Sequence, residues 1–130
     1  SHGSGGNVLT AAVTYGGVAP GVLSSTEEYD GSSWTSGGTM NEGRENLNGG
    51  ANGTQTASLA SGGNNPTYTN AVEEYNGTSW STRPRISTTR YSTSTGTTSA
   101  GLISGGYTGT ANTNVTAEST AINIESVDNS

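Results

Sequence analysis

Cysteine, phenylalanine and lysine are all absent from this chain of 130 residues, and only 11 % of it is charged. Without cysteine there is no disulfide framework, no thiolate metal site and no cysteine nucleophile, so stability in any compartment must come from the fold itself. Ordinary globular chains are roughly a quarter charged. The lower value here excludes coiled coils, long solvent-exposed helices and polyelectrolyte tails. Apart from His2, the only cations are Arg44, Arg83, Arg85 and Arg90; with 10 acids the net charge is -6, which argues against nucleic acid or an anionic membrane as partner. Long apolar runs are missing too: no stretch approaches the roughly 18 residues of a membrane-spanning helix, and no charged-then-apolar leader opens the chain. The opening Ser1-His2-Gly3-Ser4-Gly5-Gly6 is tag-like, so residues 1–6 are set aside from the fold, and beyond His2 there is no histidine. A hydrophobic content of 28 % would fit disorder, yet the net charge per residue is only about 0.05 in magnitude, and disorder pairs low hydrophobicity with high net charge.

A repeat supplies the missing organisation. Gly16-Gly17 followed by Glu27-Glu28-Tyr29-Asp30-Gly31-Ser32-Ser33-Trp34 recurs 46 residues later as Gly62-Gly63 and Glu73-Glu74-Tyr75-Asn76-Gly77-Thr78-Ser79-Trp80. A third glycine pair, Gly105-Gly106, follows 43 residues after the second, and Met40 and Arg44 follow Trp34 at the spacings with which Ile86 and Arg90 follow Trp80. No segment carries a helical apolar stripe, while short runs of Thr, Val and Tyr alternate with Gly and Asn, so the unit reads as four short strands. Strand one begins at Arg44 or Arg90, strand two runs to the glycine pair, strand three ends at Tyr29 or Tyr75, and strand four carries Trp34 or Trp80. Asp30-Gly31 and Asn76-Gly77 are expected to form type I′ turns between strands three and four.

Four antiparallel strands per unit of 40 to 50 residues is the signature of a β-propeller blade, which must stack on neighbours to bury its faces. The glycine pairs then end inner strands where backbones converge. Tyr29, Trp34, Tyr75 and Trp80 are expected to supply most of the apolar filling between blades.

These residues resemble the kelch repeat: a glycine pair closing the second strand, a tyrosine on the third, a tryptophan on the fourth and an arginine leading the next blade. The resemblance covers about residues 7 to 120. The wording Glu-Glu-Tyr-Asn/Asp-Gly-x-Ser-Trp, with Tyr107-Thr108-Gly109-Thr110-Ala111 after the third pair, is similar to Ser/Thr/Gly-rich kelch-like proteins of marine bacteriophages. That likeness implies a viral protein, virion or tail associated, hence a virion or extracellular location. The last unit departs from the pattern, because Glu118-Ser119-Thr120 leads to Ile122, Ile124 and Val127 rather than to an Asn-Gly turn and a tryptophan.

By strand order the chain divides into residues 7–43 (strands two to four of blade 1 with its link), 44–89 (blade 2 and link) and 90–130 (blade 3 with an atypical C-terminal strand). That is just under three blades, whereas propellers close with about 4 to 8. The expected partner is therefore the chain itself: two copies head to tail make a six-bladed ring, with the Ile122 to Val127 strand available to complete the partner's first blade. An excised fragment of a longer propeller is the alternative.

Catalysis finds no foothold in the pattern. Glu27-Glu28 and Glu73-Glu74 recur in successive units, as packing roles do, and adjacent strand residues point to opposite faces, which rules out a glycosidase dyad. They are expected to pair with Arg44 and Arg90. No aspartate cluster has calcium-loop spacing, and no cofactor is expected. What differs between units is the connection after each glycine pair: 18–23, 64–68 and 107–112. Variable polar loops on a rigid scaffold make a binding surface. Asn64, Asn65, Tyr68, Tyr107 and Asn112 are the candidate ligand-binding residues, suited to the hydroxyls of a neutral glycan or another host-surface molecule. The expected function is thus non-enzymatic recognition, with a purely structural, self-assembling part as the alternative.

Overall fold

The computed structural model describes residues 3–8, 10–45, 48–49, 54–65, 67–86, 91–96, 100–108, 110–112, 114–120 and 124–128. They form an all-β molecule with three four-stranded antiparallel sheets and no helix among the described residues. Sheet one contains β1 (Gly3–Val8), β2 (Ala11–Tyr15), β3 (Thr26–Tyr29) and β4 (Trp34–Ser36). Sheet two contains β5 (Asn48–Gly49), β6 (Ser58–Ser61), β7 (Val72–Tyr75) and β8 (Trp80–Arg83). Sheet three contains β9 (Tyr91–Gly96), β10 (Ala100–Tyr107), β11 (Val115–Thr120) and β12 (Ile124–Asp128). Within each sheet the strands lie side by side in chain order.

Several expectations change. Residues 3–8 are not outside the fold: β1 pairs with β2, with Gly3 opposite Tyr15 and Gly5 opposite Val13, so sheet one has four strands rather than three. A ladder is made by backbone groups, and a Gly/Ser segment satisfies the edge of β2 as well as a β-branched one does. Arg44 does not begin strand one of the second unit; it precedes β5 in a non-strand segment. Arg90 lies outside the described residues. The C-terminal segment does not leave its own unit: β12 folds back on β11, pairing Val115 with Asp128 and Ser119 with Ile124.

The turn between the third and fourth strands is longer than expected. Tyr29 pairs with Trp34 and Tyr75 with Trp80, leaving four residues in each loop rather than two. The cause is the side chain that opens the loop. Asp30 Oδ1 accepts from the backbone N–H of Ser32 (2.9 Å) and Ser33 (2.8 Å), and Asn76 Oδ1 accepts from Thr78 and Ser79, both at 2.9 Å. Such side-chain turns compete with the two-residue hairpin. The glycine pairs act through conformation: Gly16, Gly17, Gly62 and Gly63 have φ of 71°, 105°, 64° and 98°, a region that other residues enter at a cost. Gly105 and Gly106 instead lie inside β10, where the pairing with β9 shifts register before Tyr107.

Alternation sorts each sheet into two unlike faces. One face of sheet one carries Val13, Tyr15, Thr26 and Glu28, and it lies against the face of sheet two that carries Ala60, Glu73, Tyr75 and Trp80. Tyr15 meets Trp80 edge-on with ring centroids 4.8 Å apart, Tyr75 stacks on Trp80 at 5.0 Å, and Met40 from the link completes the cluster. Polar bonds tie the same junction. Trp80 Nε1 donates to Thr26 Oγ1 at 2.9 Å, the Tyr15 hydroxyl donates to Leu59 O at 3.2 Å, and the Tyr75 hydroxyl donates to Glu28 Oε1. Burial pushes the Tyr15 phenol well above its ordinary range; Tyr75 is pushed up to about 12, first by burial and then by its bond to the Glu28 carboxylate. Leu59, Val72 and Ile86 form a second cluster, and Leu59 and Val72 lie on the opposite face of sheet two.

Between the sheets lies Arg44, with no exposure to solvent. Its backbone belongs to sheet one's loops, where Arg44 N donates to Leu23 O (2.9 Å) and Arg44 O accepts from Gly17 N (2.7 Å). Its guanidinium belongs to sheet two: Nη1 donates to Gly62 O (3.0 Å) and Ala71 O (2.7 Å), and Nη2 meets Glu73 Oε2 at 2.9 Å. Asn41 N (2.7 Å), Asn41 Nδ2 (2.9 Å) and Glu42 N (3.2 Å) complete the Glu73 carboxylate. Desolvation pulls the Arg44 pKa down and the Glu73 charge opposes it. The expected Arg–Glu pairing thus occurs for Arg44, with Glu73 as the acid. Glu74 points the other way and pairs with Arg83 at 2.6 Å.

Two outcomes follow. Arg44→Ala leaves the Glu73 carboxylate buried without its cation and is expected to cost about 3–5 kcal/mol in urea denaturation, whereas Arg44→Met combined with Glu73→Leu recovers most of that loss. The four hydrogen-bond donors of its turn hold the Asp30 carboxyl at about 2, below its ordinary 3.8. A folded-state pKa below the unfolded one contributes stability above about pH 4 that fades as pH falls toward 2. Asp30→Asn, which copies the residue of the second turn, is expected to flatten that part of the stability-versus-pH curve relative to the parent chain.

Candidate recognition surface

After its glycine pair each unit makes a small loop closed by an isolated bridge. Val18 pairs with Val22, Asn64 with Tyr68 and Tyr107 with Asn112. A bond inside each loop sets its shape: Ala19 N to Gly21 O (2.9 Å), Asn65 N to Thr67 O (2.8 Å) and Thr108 N to Ala111 O (3.0 Å). The first loop contains a cis Ala19–Pro20 bond. Thr108 holds the third loop further, its hydroxyl donating to Ala111 O at 3.1 Å. Three loops of different sequence are therefore each closed by a short antiparallel bridge, the first two alike and the third one residue longer, so that a rigid frame carries variable side chains.

The second and third loops come together. Tyr68 and Tyr107 meet edge to face, with ring centroids 6.0 Å apart and planes at 86°, and both remain half-buried rather than enclosed. Asn112 stands exposed across the bridge from Tyr107, and Asn65 is half-buried beside Asn64. Asn64 exchanges both backbone bonds with Glu45, at 2.9 and 3.1 Å, so its position is set by the segment entering sheet two. Its side-chain Oδ1 is buried and has no hydrogen-bond partner, an acceptor that a donor from water or a ligand would satisfy. The five candidate residues thus occupy two adjoining loops. The first loop does not share in the tyrosine pair; it presents Val18, 45 % exposed.

Sequence reasoning overlooked a second feature. Trp34 and Trp80 occupy equivalent positions, yet Trp80 is 7 % exposed and Trp34 is 53 % exposed. Tyr29 covers only one side of Trp34, at 5.0 Å between ring centroids. Trp34 therefore does not fill a space between sheets in this chain, because its face of sheet one meets no other sheet among the described residues. A cleft of about 410 Å³ opens on that face, lined by Tyr15, Gly16, Leu23, Ser25, Glu27 and Trp34 together with Thr14. The signal for it was present only as an inequality of neighbours, since the two repeats read alike. Among the described residues no group of three His, Cys, Asp or Glu side chains converges as a metal site would require.

No family model matches the chain, and no curated protein matches it. Solved structures do. One of them, published as the structure of YjhT, superposes with a TM-score of 0.69 over 98 % of this chain at 13 % identity. This chain spans 45 % of the YjhT chain. At that identity the likeness is one of fold alone, and the molecule is all-β in an arrangement consistent with a β-propeller.

Proposed function

We propose that the chain is a non-enzymatic recognition module whose ligand surface is the rim formed by the second and third loops. The observation that carries this reading is the edge-to-face meeting of Tyr68 and Tyr107, two half-buried rings delivered by separate loops and flanked by Asn64, Asn65 and Asn112. Aromatic faces accept the C–H surfaces of a sugar ring, and carboxamides bond its hydroxyls; neither needs charge, in keeping with a chain that is sparse in cations. The ligand class is a neutral glycan or a host-surface molecule of that chemistry. The kelch resemblance and the phage-like wording of the repeat support a virion or tail-associated setting outside the cell. On a glycan array, saturable binding that falls at least tenfold in Tyr68→Ala and in Tyr107→Ala supports the reading. Absence of binding by a chain whose folding and mass have been verified overturns it for sugars.

A second reading is favoured by the exposed Trp34: three propeller blades of one chain and three of another close head to tail into a six-bladed ring, and this self-assembly is itself the function. Two copies would span about nine-tenths of a chain such as YjhT. The face of sheet three that bears Thr116 matches the face of sheet one that covers Trp80, since Ser104–Thr116 and Tyr15–Thr26 are equivalent pairs. A solution mass near twice 13.0 kDa, with Trp34 protected from acrylamide quenching, is the expected result. A monodisperse monomer with a freely quenched Trp34 removes the ring.

A further inference from the structure

The cleft on sheet one has an occupied counterpart inside the same molecule. On sheet two, the segment 37–45 lies over the equivalent face: Met40 packs with Tyr75 and Trp80, and four residues later Arg44 reaches the carbonyls of Gly62 and Ala71 and the Glu73 carboxylate. On sheet one the same positions are held by Gly16, Ser25 and Glu27, beside Trp34. The correspondence is geometric as well as sequential. Thr14–Glu27 pairs as Ala60–Glu73 does, Tyr29–Trp34 as Tyr75–Trp80, and Gly16 N donates to Ser25 O (3.0 Å) as Gly62 N donates to Ala71 O (2.9 Å). The two cradles differ in what they hold. Glu73 is buried with four donors on its carboxylate, whereas the Glu27 carboxylate is exposed with no hydrogen-bond or ion-pair partner among the described residues.

We propose that this cleft is a receptor for an arginine-bearing non-strand segment, whose guanidinium bonds Glu27 and the carbonyls of Gly16 and Ser25 while an apolar side chain four residues earlier covers Trp34. The occupant is a partner with the chemistry of residues 37–45: glycine-rich and bent at its middle, with an apolar residue and then an arginine. Charge complementarity selects it. A carboxylate and two carbonyls form an acceptor-only cradle, and a planar guanidinium with five donors matches it where a compact ammonium does not. This site lies on the sheet face, and it neither requires nor excludes a ligand at the tyrosine rim.

The test adds a synthetic peptide with the sequence of residues 37–45 to the intact protein and follows acrylamide quenching of Trp34 together with calorimetry. Saturable binding that protects Trp34 is expected, weakened at least tenfold by R44A in the peptide and by Glu27→Gln in the protein. Because Glu27 is exposed and unpaired, the Glu27→Gln protein should keep its thermal midpoint, so lost binding cannot be lost folding. A second arm appends the same nine residues ahead of Ser1, which raises their effective concentration into the millimolar range. That variant should melt higher and bury Trp34, and the R44A form of the appended copy should do neither. No binding in the first arm with no protection of Trp34 in the second overturns the proposal, as does binding indifferent to both Arg44 and Glu27. Loss of glycan binding at the rim leaves either result unchanged, so the two proposals fail independently.

Discussion

A guanidinium with no access to water joins the first sheet to the second. Burying that charge is expensive, and it is tolerated because Arg44 finds two carbonyls and a carboxylate that the backbone device of the glycine pair and the Glu73 position hold in place. The rest of the junction has little apolar material: a methionine, two tyrosines, a tryptophan and small residues. With so few large side chains, stacking has to be directed by hydrogen bonds that cross between sheets, from Trp80 to Thr26, from Tyr15 to Leu59 and from Tyr75 to Glu28. Polar residues on these faces are therefore the connectors, and the low hydrophobic content belongs to the design of the stack.

Much of this was legible in the sequence because it is written twice. The 46-residue offset revealed the sheets, the aromatic positions and the pairing of an arginine with one of two adjacent acids. What appears once was harder to see. Tyr15 has serine at its equivalents Ser61 and Ser104, so no repetition marked it as the residue that covers Trp80. The strand at Gly3–Val8 was hidden because ladder bonds need no characteristic side chain. The turns were misjudged by two residues because Asp30 and Asn76 use their own side chains as acceptors, a choice that dipeptide preferences do not report. At the candidate rim, the loops were identified by their variability, but the meeting of Tyr68 with Tyr107 and the hold of Glu45 on Asn64 depend on how neighbouring units sit together. A pattern within one unit does not contain that information.

The two surfaces described here obey opposite logics. The rim varies from unit to unit on loops that are each closed by a bridge, so its chemistry can change without touching the frame. The sheet face is shared by the first two units, with Glu27 and Trp34 standing where Glu73 and Trp80 stand, so what fits one copy is chemically prepared to fit the other. Trp34 and Trp80 make the difference visible, since the same residue is either core or surface according to what stands in front of it.

The junction between sheets one and two joins two unlike faces, and that gives the stack a direction. A stack built from such steps has a leading end and a trailing end, and any number of units presents the same pair of surfaces at its extremities. Whether such a series closes into a circle or continues as a spiral depends on the angle turned at each step, in the way a staircase depends on its treads and not on its landing. Small changes at the glycine-lined approach of the link, where a Cβ on Gly38 would collide with the Thr78 carbonyl, therefore act on pitch as well as on stability.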